Sequence, residues 1–280
     1  MDMQDLPDLL AVDGGGSGCR VALIWQAVRL EAMGGPANMY SDPEAATSAL
    51  NDLLDHVADK AGIGRRTLGD LPAYLGIAGV MTPAAARGLA DRLTLPHAVI
   101  EDDRRAMVTG ALGGADGFVA ALGTGSFFAR VEEGQMRAIG GWGHRFSDEA
   151  SGAWIGARLV RAAFRAADGR GARSALTEAL LADHGGALGL LDRFGAAAAT
   201  ELASLAPRVF TAADPVAVDI LNDAKTALSA ALADLGWDGA APVCLTGGIG
   251  RRLAEGFSPV CAPRGTALEG AVRLAAKVKA

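Results

Sequence analysis

The chain has 280 residues, half of them hydrophobic and 21% charged, with a formal net charge of −6. That length supports one large core or two modest ones, and the acidic balance excludes the basic surface that nucleic-acid binding needs. No run of about eighteen apolar residues occurs, so no membrane span is expected. The acidic start Met1-Asp2-Met3-Gln4-Asp5 lacks the pattern of a signal peptide. Cys19, Cys244 and Cys261 stand singly, without a CxxC or Cys/His cluster. This argues against zinc and disulfides, and for three small buried side chains in a cytoplasmic protein.

In chain order, residues 9–13, 20–25 and 28–33 read as three strands joined by tight turns. Ser41-Asp42-Pro43-Glu44 offers caps and a first-turn proline for a helix whose apolar positions Ala46, Leu50, Leu53, Leu54, Val57 and Ala58 recur at helical spacing up to Gly62. A strand is expected at Ala73–Ala78, a helix at Pro83–Leu93, a strand at Ala98–Glu101 and a helix at Arg104–Leu112. The second half repeats the order, with strands at Phe118–Leu122, Phe127–Val131 and Met136–Ile139 and a helix at Ser151–Ala167. An alanine-rich stretch at about 170–212 reads as a helical insertion. It is followed by a periodic helix Val216–Leu235, a strand Pro242–Thr246 with Gly247-Gly248-Ile249-Gly250 after it, a short strand Val260-Cys261 and a closing helix Thr266–Val278. The expected fold is α/β, with two related halves whose mixed sheets are flanked by helices. The boundary is placed between residues 107 and 108, with 266–280 packing back on the first half and 108–265 forming the second.

Two glycine-rich turns stand out, Asp13-Gly14-Gly15-Gly16-Ser17-Gly18 and Gly123-Thr124-Gly125-Ser126, each between apolar strands. Glycines at a tight turn let backbone N–H groups converge on phosphate oxygens, although either turn alone is equally well a plain hairpin. The first lacks the lysine of a P-loop and is followed by a strand rather than the helix of a dinucleotide fingerprint. Asp13 at the strand end can hold the hydration shell of a magnesium ion that bridges phosphates. Asp103, between a strand and a helix, is either a general base projecting from the strand end or a helix cap. Asp148 and Glu149 are either acceptor-site acids or first-turn acids of a helix capped by Ser147. Trp142 reads as a core aromatic and Asn38 as a turn residue when each is taken alone.

The arrangement resembles the sugar kinase, hsp70 and actin superfamily. Asp13–Gly18 matches its first phosphate motif, Gly123–Ser126 its second, and Gly247-Gly248-Ile249 its adenosine motif. The segment from Gly140 to Gly156 resembles the GGWG…DEGS segment of the N-acetylglucosamine kinase group within the BadF/BadG/BcrA/BcrD ATPase family. Gly35-Pro36-Ala37-Asn38, Gly76-Ile77-Ala78-Gly79, Asp103 with Gly110–Gly113, and Pro263–Leu274 fall in matching order. The resemblance implies duplicated ribonuclease H-like, actin-like ATPase domains with an ATP cleft between them.

It further implies an ATP- and magnesium-dependent kinase for the 6-hydroxyl of N-acetylglucosamine or glucosamine, working as a homodimer. On that basis Asp103 is the base, and Asn38, Asp103, Thr124, Gly141, Trp142 and Asp148 hold the sugar. Gly14, Gly15, Gly16, Ser17, Gly123, Thr124, Gly125, Ser126, Gly247 and Gly248 hold ATP, and Asp13 its metal. Ser147 and Ala150 replace glycines of the family pattern, and Phe127 replaces a smaller or polar residue, which bears on sugar identity. The activator ATPases of the same wider family need paired cysteines that the spacing does not offer. A non-enzymatic sugar sensor would carry an added DNA-binding segment, whereas this chain opens almost at its first strand.

Overall fold

Apolar residues on alternating sides of short strands build the first sheet. In the computed structural model, which describes residues 6–16 and 18–279, β1 (Leu9–Gly15) and β2 (Gly18–Trp25) pair antiparallel, with Gly15 opposite Gly18 across the turn. Ser17, the one hydroxyl expected in that turn, lies outside the described residues, as do Met1–Asp5. Gln26 and Ala27 both hold positive φ, the backbone of a two-residue hairpin turn, and β3 (Val28–Gly34) adds antiparallel to β2.

Helix α1 (Pro43–Ala61) starts at Asp42, whose carboxylate accepts the Ala45 N–H, and stops at left-handed Gly62. A short α2 (Arg65–Gly69), which periodicity misses at that length, leads into β4 (Ala73–Ile77). Then come α3 (Pro83–Leu93), β5 (Ala98–Glu101) and α4 (Arg104–Leu112). The sheet order is β3-β2-β1-β4-β5, with β1, β4 and β5 parallel.

The second half begins with a meander of β6 (Gly117–Leu122), β7 (Ser126–Glu132) and β8 (Gln135–Gly140), followed by α5 (Gly152–Ala167). The insertion resolves into α6 (Ala175–Asp183), α7 (Ala187–Phe194), α8 (Ala199–Ala203) and α9 (Ala206–Thr211), whose apolar side chains share one cluster with α5. Helix α10 (Pro215–Asp234), β9 (Val243–Thr246), α11 (Gly247–Leu253), β10 (Val260–Cys261) and α12 (Ala267–Ala275) complete the chain. The glycine-rich segment after β9 is the first turn of α11. The second sheet, β10-β9-β6-β7-β8, repeats the first with the order read from the other end, which is the structural sign of a duplicated unit.

The chain divides into two compact units. The first runs to Ala115 and is rejoined by the segment from Pro263, and the second spans Asp116–Ala262. In the first unit both faces of the sheet are covered, as parallel strands require. Leu10, Val12, Val21 and Leu23 pack with α1, while Leu9, Ala11, Ala22 and Tyr74 pack with Ala106 of α4 and with Leu268, Ala271 and Val272 of α12. Helix α12 is held at its start by a reciprocal capping box between Thr266 and Glu269. The edge strand β3 is guarded by Lys60, whose ammonium donates to the Glu31 carbonyl at 2.8 Å.

Cys19 and Cys244 are buried as expected, but Cys261 is exposed. It lies on the two-residue edge strand β10, where no further strand follows to cover it. No helix among the described residues is long and apolar enough to cross a membrane.

Candidate active site

Ligand sites in sheets of this kind lie at the carboxyl ends of the parallel strands. In the first unit those ends belong to β1, β4 and β5, and the register puts Asp13, Gly76 and Glu101 side by side. Side chains alternate along β1, so Asp13 shares the face of Leu9 and Ala11, the same face that α4 covers. Gly76 leaves a gap on that face. A Cβ added there would lie 3.3 Å from the Asp103 Cα and 3.0 Å from the Ala106 Cβ, so the missing side chain lets the start of α4 settle onto the sheet.

Asp103 occupies the residue before α4 but is not its cap. Its backbone is already helical (φ −65°, ψ −16°), and its side chain makes no capping hydrogen bond. The cap-residue alternative therefore falls away. Burial pushes its carboxyl up to about 7, reinforced by the nearby charges of Asp102 and Asp13 and eased by Arg104. Burial also raises Asp13, and Arg20 directly across the hairpin partly offsets this. The Asp13 carboxylate has no ion pair among the described residues.

The loop carrying Asn38 runs along the same strand ends. Ala37 donates to Gly15 O at 2.9 Å, Ala78 donates to Gly14 O at 2.8 Å, and Asn38 bridges Ala78. The Asn38 side-chain oxygen accepts the N–H groups of Tyr40 (2.9 Å) and Ser41 (3.3 Å). The turn reading of this residue is correct for its oxygen, and its amide group remains on the side of Gly16. Gly14 is confined, since a Cβ would come 2.6 Å from the Ile77 Cδ1, whereas Gly15 and Gly16 have no such clash.

Substituting Gly76 with Ala should push the start of α4 outward by a few tenths of an ångström. We expect kcat to fall roughly tenfold with a modest drop in melting temperature, measured by steady-state kinetics and thermal denaturation.

In the second unit β6 and β9 are parallel neighbours, and the turns after both strands converge. Gly247 has φ +82°, and a Cβ on it would strike the Leu122 carbonyl at 2.3 Å, so only glycine fits. The Gly123–Gly125 turn is fastened to the start of α5: Gly152 donates to Gly123 O (2.8 Å) and Ala153 to Thr124 O (3.1 Å). These bonds leave the Thr124 side chain exposed. Ser126, expected among the residues that hold ATP, has its hydroxyl engaged within the protein. It is buried and donates to the Glu149 carbonyl at 2.8 Å, so its hydroxyl braces the loop.

The cap of α5 is Ser151, which accepts the Trp154 N–H at 3.1 Å, and not Ser147. Asp148 and Glu149 therefore precede the helix instead of filling its first turn. Asp148 is only 5% exposed and has φ +64°. Burial raises its carboxyl, while the backbone N–H groups of Ser126 and Gly143 that it accepts pull it back. Asp148 Oδ2 also fills the space where a Gly125 side chain would stand, 2.8 Å from that added Cβ. One buried carboxylate thus ties the second glycine turn to the loop that begins at Gly140. Gly140, Gly141 and Gly143 have positive φ, as does Ala150, where the family pattern has glycine. Trp142 is 69% exposed and Phe146 86% exposed, so Trp142 is not a core residue. Phe127 is buried in β7, and its size bears on the interior rather than the surface of the unit. Sequence reasoning missed the bracing roles of Ser126 and Ser151, because a hydroxyl's partner depends on loop folding that spacing does not encode.

Among the described residues no three His, Cys, Asp or Glu side chains cluster as metal ligands. A lone carboxylate such as Asp13 nonetheless suits magnesium, which keeps most of its waters when it rides on phosphates.

The model of the BadF/BadG/BcrA/BcrD ATPase family matches residues 10–257. A Vibrio cholerae protein named glucosamine kinase is 25% identical over 96% of this chain and 95% of its own. A Chromobacterium violaceum crystal structure described as a candidate N-acetylglucosamine kinase superposes with a TM-score of 0.78 at 32% identity, covering 96% of this chain and 99% of that one. A Streptomyces griseus ROK family glucokinase solved with glucose and AMPPNP shares the fold, with a TM-score of 0.55 at 18% identity, covering 96% of this chain and 99% of its own.

Proposed function

The chain belongs to the BadF/BadG/BcrA/BcrD ATPase family, and from that premise we propose that it is an ATP-dependent kinase for the 6-hydroxyl of an amino sugar, glucosamine or N-acetylglucosamine. The carrying observation is the Asp103 carboxylate, which the helix behind it does not use as a cap and whose proton affinity lies near neutrality. A group so poised can accept the hydroxyl proton as the phosphoryl group transfers. The substrate class is supported by the names of the Vibrio cholerae and Chromobacterium violaceum relatives.

Asn38, through its amide group, Asp103, Thr124, Gly141, Trp142 and Asp148 are each assigned to sugar binding. Gly14, Gly15, Gly16 and Ser17, with Gly123, Thr124, Gly125, Gly247 and Gly248, are assigned to ATP. Ser126 acts by bracing its loop. Asp13 is assigned to a hydrated magnesium ion, which when bound neutralises charge on the phosphates. The family's ATP use supports this assignment.

ADP release with ATP and magnesium, measured against glucosamine, N-acetylglucosamine, N-acetylmannosamine and glucose, tests the proposal. An amino sugar should raise the rate well above the sugar-free background, and equal rates with and without all four sugars would refute it. The base must be ionised to work, so kcat/KM for the sugar should climb with pH through about 7 and then level off. A rate that falls as pH rises across that range would place the proton on the wrong side of the reaction.

A further inference from the structure

Asp103 can serve as a base only if something else satisfies the exposed start of α4, because the first N–H groups of any helix lack partners within it. The preceding residue does this. Asp102 Oδ1 accepts the Arg104 backbone N–H at 3.2 Å and also receives the Arg104 Nε. This carboxylate and guanidinium form an ion pair, and both are largely covered, at 21% and 25% side-chain exposure. Asp102 is thus the cap in function, although Asp103 stands at the cap position. Arg104 holds the same carboxylate oxygen through its Nε, so both contacts tie Asp102 to the first residue of α4. The consequence falls on the residue between them. Asp103 is held in helical backbone, with its Cα against the space left open by Gly76.

We propose that Asp102 and Arg104 are positioning residues for the reaction: together they cap α4 and so keep the intervening Asp103 carboxylate out of capping and aimed at the acceptor hydroxyl. Without the pair, the Asp103 side chain stands at the position from which a cap residue accepts the orphan N–H groups of a helix. An aspartate drawn into that cap would point along the helix instead of toward substrate. This inference rests on the kinase reading above, in which Asp103 is the base.

The test uses the full-length protein and compares Asp102→Ala, Asp102→Asn, Arg104→Gln and Asp103→Asn in steady-state kinetics with ATP and the best amino sugar. Asp102→Ala should lower kcat about tenfold and leave KM for sugar and for ATP within twofold. Asparagine caps a helix as well as aspartate, so Asp102→Asn should recover most of the loss. Arg104→Gln keeps the backbone N–H but loses the Nε contact, and should fall between them, again in kcat alone. If Asp102→Ala does not fold, the difference between Asp102→Asn and Arg104→Gln carries the same test.

Wild-type kcat in both Asp102→Ala and Arg104→Gln overturns the inference. So does a loss shared equally by kcat and KM, or one that Asp102→Asn fails to recover. Asp103→Asn separates the two claims. If it is inactive while Asp102→Ala is normal, only the positioning role is lost. If it is active, the base assignment itself is wrong.

Discussion

Replacing Asp103 with Asn is expected to lower kcat by about 10²- to 10⁴-fold, with the protein as stable as the parent or more so. The loss in rate follows from removing a proton acceptor of matched affinity while keeping its shape. The gain in stability follows from linkage. The Asp103 carboxyl is raised in the folded protein, from the ordinary 3.8 to about 7, so folding disfavours its ionised form. Stability from this group is therefore fully present below about pH 4, declines as pH rises toward 7, and stays low above it. Asparagine carries no charge to bury, so at pH 8 the variant should melt a few degrees higher than the parent. The pair of outcomes is diagnostic, since a residue that matters only for folding would lose stability together with activity. Kinetics and melting curves at pH 5 and pH 8 measure both.

Gly270→Ala is expected to be among the most destabilising single changes in the chain. Helices α4 and α12 cross with their backbones nearly touching. A Cβ on Gly270 would lie 1.8 Å from the Ala106 carbonyl oxygen and 2.6 Å from the Gly110 nitrogen. Gly110 faces the same restriction, 1.8 Å from the Thr266 carbonyl oxygen. Alanine in place of glycine normally favours a helix by about 1 kcal/mol, but here the methyl group meets backbone that cannot rotate away. The overpacking cost should reach about 3 kcal/mol or more and outweigh the propensity gain, so the melting temperature should drop by several degrees. Because Asp103 directly precedes α4, kcat should fall as well. Gly88→Ala in α3 is the matched control. Nothing lies within 4 Å of its added Cβ, so that change should be neutral or stabilising by about 0.5–1 kcal/mol. Thermal denaturation of the two variants decides between close packing and a general sensitivity to glycine replacement.

The sheet strands and long helices were legible in the sequence because their hydrophobic periods are strong and their ends carry caps. Asp42 with Pro43 starts α1, and Thr266 with Glu269 starts α12, where the expectation placed them. Two short helices were not legible. Helix α2 is one turn long, and α11 begins with two glycines that suggest a turn, so in both cases packing overrides weak local preference. At the candidate site, residue types and strand-end positions could be read, but not which oxygen was already engaged. Asp103 and Asp148 each had an ordinary role available at a helix start, and the structure gives those roles to Asp102 and Ser151 instead. Ser126 shows the reverse, since a hydroxyl in a phosphate-like turn proves to be internal bracing. Capping is a competition between neighbouring polar groups, decided by backbone angles that sequence spacing does not specify.

The central claim is transfer of a phosphoryl group to an amino sugar, and its most direct measurement is phosphorus NMR of a reaction containing the protein, ATP, magnesium and glucosamine or N-acetylglucosamine. One sugar phosphate should form per ADP, with its phosphorus coupled to the two protons on carbon 6, and almost none should form with the Asp103→Asn protein. Formation of inorganic phosphate alone, or of equal sugar phosphate by the Asp103→Asn protein, would contradict it.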